Sequence, residues 1–386
     1  MNSVKVIRER SELEAFAPHW NELLERSAQN NVFLTWEWVS DWLDVYLEDG
    51  GILTLIVFDK DEPVAIAPLH VQIERPARGV SVRVLRFVGS GEVCADHVDM
   101  ILGGESAESA AKAIWDELFG PLRGEWDVFE YYDAPSDSPA REAFRELARR
   151  DRRCIKMELL DDSVCPYLTL PASWSEFLSQ CSGTRRYTIN YSMNKLAEQG
   201  HLEKHLCENP EELEGQMETF ISLHQESWVE RGKPGSFSSE RFKRFHLRVA
   251  RDFLEKGILF LCSFSLDGAP IASFYGFQYG GKIYYYLLGA RVNPVKRVKT
   301  GTAVLGQCIE EAIARGCREF DFLRGAEEYK YRWTSTERRN PRIRFYNRTG
   351  NAFIFLVLGA SYRWAKRVLK TVLGKHAKVL KPLIGR

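Results

Sequence analysis

Gly51-Ile-Leu-Thr-Leu-Ile-Val-Phe-Asp-Lys-Asp-Glu-Pro-Val-Ala-Ile-Ala67 and Gly257-Ile-Leu-Phe-Leu-Cys-Ser-Phe-Ser-Leu-Asp-Gly-Ala-Pro-Ile-Ala-Ser273 are two stretches of one chain that read alike. Each is an apolar run, a short polar turn and a second apolar run opening on Pro-Val-Ala or Pro-Ile-Ala, the pattern of a β-hairpin. Asp267-Gly268 is a tight-turn signal, because glycine takes the positive φ of such turns without steric cost.

Working outward, the order of elements repeats. Helical sequence precedes each hairpin, over Glu12–Arg26 and Glu37–Tyr46 in one half and Glu211–Arg231 and Glu240–Lys256 in the other. A third strand follows at Val82–Val88 and Ile283–Leu288. Next come helices over about Ser106–Phe119 and Gly301–Arg315, with apolar residues at helical spacing. Trp126–Asp133 and Arg318–Gly325 close each half as a strand. Helices alternating with a mixed sheet predict an α/β (α+β mixed-sheet) fold of two similar units. The reading divides the chain into units over 1–160 and 161–350 and a basic amphipathic tail over 351–386. The division falls near Asp161–Pro166, where polar residues give way to an extended Cys165–Pro171 and a helix start at Ser173.

Lys plus Arg equals Asp plus Glu at 53 each in 386 residues, so global charge does not point to nucleic acid. No acidic residue follows Glu337, whereas about thirteen Lys and Arg do. In the tail, Trp364, Val368, Leu369, Val372 and Leu373 recur near helical period between cations, a pattern that either lies on a membrane surface or packs back on the protein. The polar N-terminus and the short apolar run Ala352–Ala360 predict a soluble, cytoplasmic body, peripheral to the inner membrane face if the tail binds lipid. None of the eight cysteines forms C-x-x-C, which predicts reduced, buried thiols and no metal. Cys94-Ala-Asp96-His97-Val-Asp99 holds four polar groups on an extended stretch, a spacing that does not bring them to one point.

Several stretches resemble the GNAT superfamily of acyl-CoA N-acyltransferases, in the tandem form shared with Fem-type transferases, and within it the CelD-like cellulose-biosynthesis acetyltransferase family. They are Phe33–Trp38, Cys165–Pro171, Arg185-Arg186-Tyr187 with Asn190–Leu196, Leu223–Gly232, and Asp321–Trp333. The resemblance spans about residues 30–345 and is strongest from Cys165 to Trp333. It implies two GNAT-like units and transfer of an acyl group from acetyl-CoA or another acyl-CoA to a small-molecule or glycan-precursor acceptor of the cell envelope or exopolysaccharide.

Acyl-CoA brings a pyrophosphate, which a helix N-terminus with nearby cations can hold. Arg297, Lys299, Thr300, Gly301 and Thr302 open the central helix of the second unit, whereas Gly103-Gly104-Glu105-Ser106 places acid at the matching point of the first. One glycine of the usual GNAT loop is replaced by threonine, which leaves acyl-CoA and aminoacyl-tRNA both open as donors, tRNA being a partner only in the second case. For chemistry the resemblance implies Glu327 as the acid position; Asp321 lies on the strand before it, Tyr329 or Tyr331 is the candidate proton donor for the thiolate, and Lys330 the candidate cation for phosphate or oxyanion. Without the resemblance, the same stretch reads as a charged surface loop. Tyr285 faces opposite to Tyr284 and Tyr286, into a cleft or a core. His224 and Trp228 share a helix face, as a packing pair or as an acceptor floor. Arg231, Trp333 and Asp96 complete the implied acceptor side. A non-catalytic GNAT pair acting as a scaffold for polysaccharide synthesis is the reading outside enzymes.

Overall fold

Both hairpins form in the computed structural model, which describes residues 2–47, 50–103, 107–291 and 298–361. The first pairs β3 (Thr54–Asp59) with β4 (Glu62–Ala67). The second pairs β11 (Leu259–Leu266) with β12 (Ala269–Tyr279), and Asp267 and Gly268 both take positive φ, 50° and 79°, in its two-residue turn.

Around the first hairpin the chain runs β1 (Asn2–Ile7), α1 (Arg10–Glu25), α2 (Trp36–Tyr46), β2 (Gly50–Ile52), β3 and β4. It continues through β5 (Leu69–Ala77), β6 (Val80–Phe87), β7 (Ile101–Leu102), α3 (Ala107–Phe119), β8 (Val128–Tyr131) and α4 (Pro139–Arg150) to β9 (Cys154–Thr169). The second half follows as α5 (Trp174–Gln180), α6 (Gly183–Ala197), β10 (Leu202–Leu206), α7 (Pro210–Val229) and α8 (Glu240–Glu255), then β11 and β12. β13 (Lys282–Ala290), α9 (Thr300–Ala314), β14 (Glu319–Asp321) and β15 (Glu337–Asn347) complete it. The fold is the mixed α/β class that the sequence implies. In both halves a helix links two parallel strands, β6 to β8 over α3 and β13 to β14 over α9.

The halves differ where the sequence made them match. Leu69–Ala77 is a further strand, β5, and it, not β4, pairs with β6. β4 is bordered instead by β7, so the first half splits into a four-stranded sheet, β1-β3-β4-β7, and an extension of a larger one. Only Pro68 separates β4 from β5, which hides the break within one apolar run.

The larger sheet has eleven strands in the order β10-β11-β12-β13-β14-β9-β15-β8-β6-β5-β2. β9 pairs with β14 through Tyr167–Thr169 and with β15 over most of its length, and β15 pairs with β8. β9 therefore runs unbroken through positions 160 and 161, and each half borrows a strand from the other. The cores merge as well. Trp38 of α2 is fully buried edge-on to Phe245 of α8, with centroids 4.9 Å apart, and Phe33 meets Tyr284 of β13 at 5.7 Å. A second core lies on the opposite face of β11–β13, beneath α5, α6 and α9.

All eight cysteines are free thiols, seven of them buried and Cys94 exposed. Among the described residues no helix is long and apolar enough to cross a membrane. Arg297, Gly104–Ser106 and the tail from 362 onward lie outside the described residues.

Candidate active site

The parallel pair β13 and β14 registers at only three positions, the last being Tyr284 opposite Asp321. β13 continues to Ala290, but after Asp321 the segment following β14 turns away to hydrogen-bond β9, Phe322 N to Pro166 O at 3.0 Å and Gly325 N to Val164 O at 2.8 Å. Beyond Tyr284 no strand among the described residues pairs with this edge of β13. A cleft of about 800 Å³ opens in the gap. Tyr285, Leu287 and Leu288 of β13 form one wall, and Lys299, Gly301, Thr302 and Leu305 of α9 form another. Thr300 is buried beside them, its hydroxyl without a hydrogen-bond partner among the described residues.

Glu327, Tyr329, Lys330 and Trp333 all reach this cleft. Glu327 is an accessible acid of the cleft, its side chain 54% exposed and one carboxylate oxygen 2.9 Å from Lys330 Nζ. Lys330 is buried, and its ammonium also donates to Leu323 O (3.1 Å) and Arg324 O (2.6 Å), so its three protons are already engaged. The Tyr329 hydroxyl receives a hydrogen bond from Tyr285, and burial pushes its pKa up to about 12, which keeps the phenol protonated at neutral pH. Tyr285 does point opposite to its neighbours, stacking in the second core on Phe274.

Asp321 lies under the cleft floor, 1% exposed, with His97 Nε2 donating to its Oδ2 at 3.0 Å. Its other oxygen accepts from Leu323 N (2.8 Å), and Arg338 adds a contact at 3.3 Å. Burial favours the neutral acid, but the His97 charge and hydrogen bond, aided by Arg338, hold the carboxyl below its ordinary range. Burial likewise opposes charge on His97, and Asp321 overrides it, raising the imidazole pKa. Asn340 Nδ2 approaches the other ring nitrogen at 3.1 Å. This network supports Leu323, whose φ of 56° is costly for a branched side chain and starts the turn that carries Arg324 to Lys330.

The loop between β6 and β7 crosses from the first half to wall the cleft with Glu92, Cys94 and Asp96. Its polar groups do diverge. Asp96 is 1% exposed and pairs with Arg324 at 2.7 Å, His97 meets Asp321, and Asp99 accepts from Tyr131. Arg324 also bonds Asp133 at 3.2 Å, and the two carboxylates outweigh burial to raise its pKa.

On the remaining side, Trp228 Nε1 donates to His224 Nε2 at 3.0 Å. Burial lowers the His224 pKa to about 4, so the neutral ring accepts that bond at physiological pH and fixes the indole. Arg231 and Lys233 lie over the Trp228 ring at 5.8 and 5.4 Å. α7 comes this close because of Gly289, where a Cβ would stand 2.7 Å from His224 N and 2.9 Å from Phe220 O. Gly289→Ala is therefore expected to cost about 1–3 kcal/mol, measured by thermal melting.

Of the residues singled out from sequence, twelve line this cleft, Asp321 and Thr300 lie directly behind its wall, and Arg297 is outside the described residues. Arg324, Arg338 and Asn340 were not singled out, and His97 only as one of four polar groups with no common point. Their partners are far away in sequence, and only Asp96-His97 gave a local sign.

Residues 183–331, in the second half of the chain, match the family described as "Acetyltransferase (GNAT) domain". Among solved structures, FemX superposes with a TM-score of 0.57 at 11% identity, over 84% of this chain and 95% of that one. The C-terminal domain (DUF2156) of a putative lysylphosphatidylglycerol synthetase from Agrobacterium fabrum gives 0.51 at 9% identity, over 89% and 95%. L-PGS from Bacillus licheniformis gives 0.50 at 14%, over 91% and 96%. At such identities these likenesses concern the fold. A search of curated proteins finds no match.

Proposed function

We propose that the chain transfers an acetyl or other acyl group from acyl-CoA to an amine or hydroxyl of a cell-envelope or exopolysaccharide-related acceptor. The observation that carries this reading is the splay of β13 from β14, which joins an unpaired strand edge, a helix N-terminus and an accessible carboxylate in one opening. In this reading the amides of the pantetheine arm pair with the free edge of β13, and the pyrophosphate meets Lys299 and the first turn of α9 at Gly301 and Thr302. The acceptor nitrogen or oxygen attacks the thioester carbon while Glu327 takes its proton. The carbon–sulfur bond then breaks and Tyr329 protonates the departing thiolate. Lys330 and Asp321 act as positioning residues, one holding Glu327 and the other the turn beneath it. The first half supplies the acceptor wall, and the partly exposed Trp228 ring beside Ser227, Ser236 and Glu92 suits a polar, ring-containing acceptor. The site of action in this reading is the cytoplasm, where acyl-CoA is available, next to the inner membrane face.

Acetyl-CoA at about a hundred times its Kd is expected to stabilise the protein by about 2.7 kcal/mol, visible as a rise in melting temperature. No rise with acetyl-CoA or longer acyl-CoAs would remove the reading. One feature favours the second donor, aminoacyl-tRNA. Tyr187 and Tyr191 stack on each other at 5.8 Å on the outer side of α6, 68% and 44% exposed, and Arg185 of that helix bonds Trp333 O at the cleft. Stabilisation by charged tRNA and not by acyl-CoA would select that donor. Binding of either without turnover would select the scaffold reading.

A further inference from the structure

A second cavity, of about 500 Å³, opens where the turn from α4 into β9 meets the end of β15. Four arginines line it, Arg123, Arg152, Arg153 and Arg348, against one carboxylate, Asp151. Asp151 is already engaged. It accepts from Arg153 (2.9 Å) and from Trp115 (2.8 Å), bonds that hold its pKa at about 2. Arg123, Arg152 and Arg348 are exposed and have no acidic partner among the described residues. Three like charges gathered round one hollow repel each other, and an anion relieves that repulsion.

Thr349 lines the same hollow and caps a helical segment over 350–361, its hydroxyl accepting from Ala352 N at 3.1 Å. One side of this segment packs down, with Ala352, Phe355 and Leu356 against Val82, Val84 and Val128 of the sheet. The other side is bare. Phe353 and Val357, one and two turns beyond Thr349 on its own face, are 59% and 46% exposed, and Ile354 is 39% exposed. Large apolar side chains in water beside unpaired arginines mark an interaction surface, and the combination suits a layer that is apolar inside and phosphate-lined at its edge.

We propose that this surface docks the protein on an anionic lipid bilayer, with Arg123, Arg152 and Arg348 on headgroup phosphates and Phe353, Ile354 and Val357 in the interfacial layer. Residues 362–386, which follow directly, add eight Lys and Arg and no Asp or Glu, continuing the same charge in sequence. The surface is separate from the cleft. Val164, which accepts from the cleft turn, and Cys154, beside the arginines, lie ten residues apart on β9, roughly 33 Å for an extended strand. The inference therefore stands whichever donor the cleft takes.

The test is co-sedimentation of the full chain with phosphatidylcholine vesicles, with and without phosphatidylglycerol. The wild type is expected to pellet only with the anionic vesicles. Arg123→Gln, Arg152→Gln and Arg348→Gln together are expected to weaken binding about a hundredfold. Phe353→Ser with Val357→Ser is expected to weaken it about tenfold. Wild-type-like pelleting of both variants would overturn the proposal, since the contact would then lie elsewhere in the chain. So would a failure of the wild type to pellet, or a dimer in light scattering that the Phe353 and Val357 substitutions abolish. Stabilisation by inorganic phosphate with no vesicle binding would make the hollow a soluble-anion site and overturn it too. Should the glutamine variant melt early, the triple Arg→Lys variant and a salt titration of the wild type replace it. Retained binding that falls with salt supports the proposal, and salt-independent binding overturns it.

Discussion

Glu327→Gln is expected to lower kcat for acyl transfer by about 10²–10⁴-fold while the melting-temperature response to acetyl-CoA stays at the wild-type level. The two side chains have the same shape, and glutamine still accepts from Lys330 Nζ, so the turn from Leu323 to Lys330 keeps its supports. What is lost is the ability to take a proton from the acceptor. Glu327 is the carboxylate best placed to do this, because Asp96 and Asp321 in the same region are each 1% exposed and committed to Arg324 and His97, and Glu92 on the cleft wall accepts from the Tyr46 hydroxyl at 2.9 Å. Steady-state turnover with an amine acceptor measures the effect. Unchanged kcat would show that the proton leaves by another route.

The second large effect concerns stability. Asp321→Asn is expected to cost about 3 kcal/mol near pH 6, read from denaturant unfolding, because it breaks a buried ion pair and His97 must then give up its proton to stay buried. The pH dependence follows from the two directions of shift. His97 has a raised pKa in the folded chain, so its contribution is complete below the unfolded value of about 6.5 and disappears as pH rises through the folded one. Asp321 has a lowered pKa, so its contribution is complete above the unfolded value of about 3.9 and disappears as pH falls through the folded one. The wild type is thus expected to gain most from the pair in the mildly acidic window and to lose stability toward alkaline pH. In the asparagine variant burial returns His97 to the neutral form, and the alkaline slope flattens. Parallel slopes in the two proteins would show that the pair does not titrate as a unit.

Much of this could be read from the chain. The hairpins carry their own turn chemistry in Asp267-Gly268, α7 and α8 announce themselves by acidic first turns, and α9 by the helical spacing of its apolar residues. The residues named for donor and acceptor gather in one cleft because they sit near the ends of neighbouring elements, β13, α9 and the turn after β14. The misses share a cause. The division of the larger sheet rests on contacts such as Ile343 with Tyr131 and Asn347 with Cys154, about 200 residues apart, which no local pattern records. Lys330 misleads in another way. In Glu-Glu-Tyr-Lys-Tyr-Arg-Trp it looks like a solvated cation, but two backbone carbonyls and Glu327 make its burial affordable.

The exchange of strands between the halves also bears on when the protein can fold. β8 is complete at Tyr131, but its neighbour β15 does not begin until Glu337. At 5–20 residues per second, a ribosome takes roughly 10–40 s to cover that interval. Throughout it the first half has hydrophobic residues in place and an open sheet edge, the condition under which nascent chains recruit chaperones or pair with the wrong strand. Slow synthesis between residues 131 and 337 is then a hazard for this chain, and it is expected to lower the yield of soluble protein.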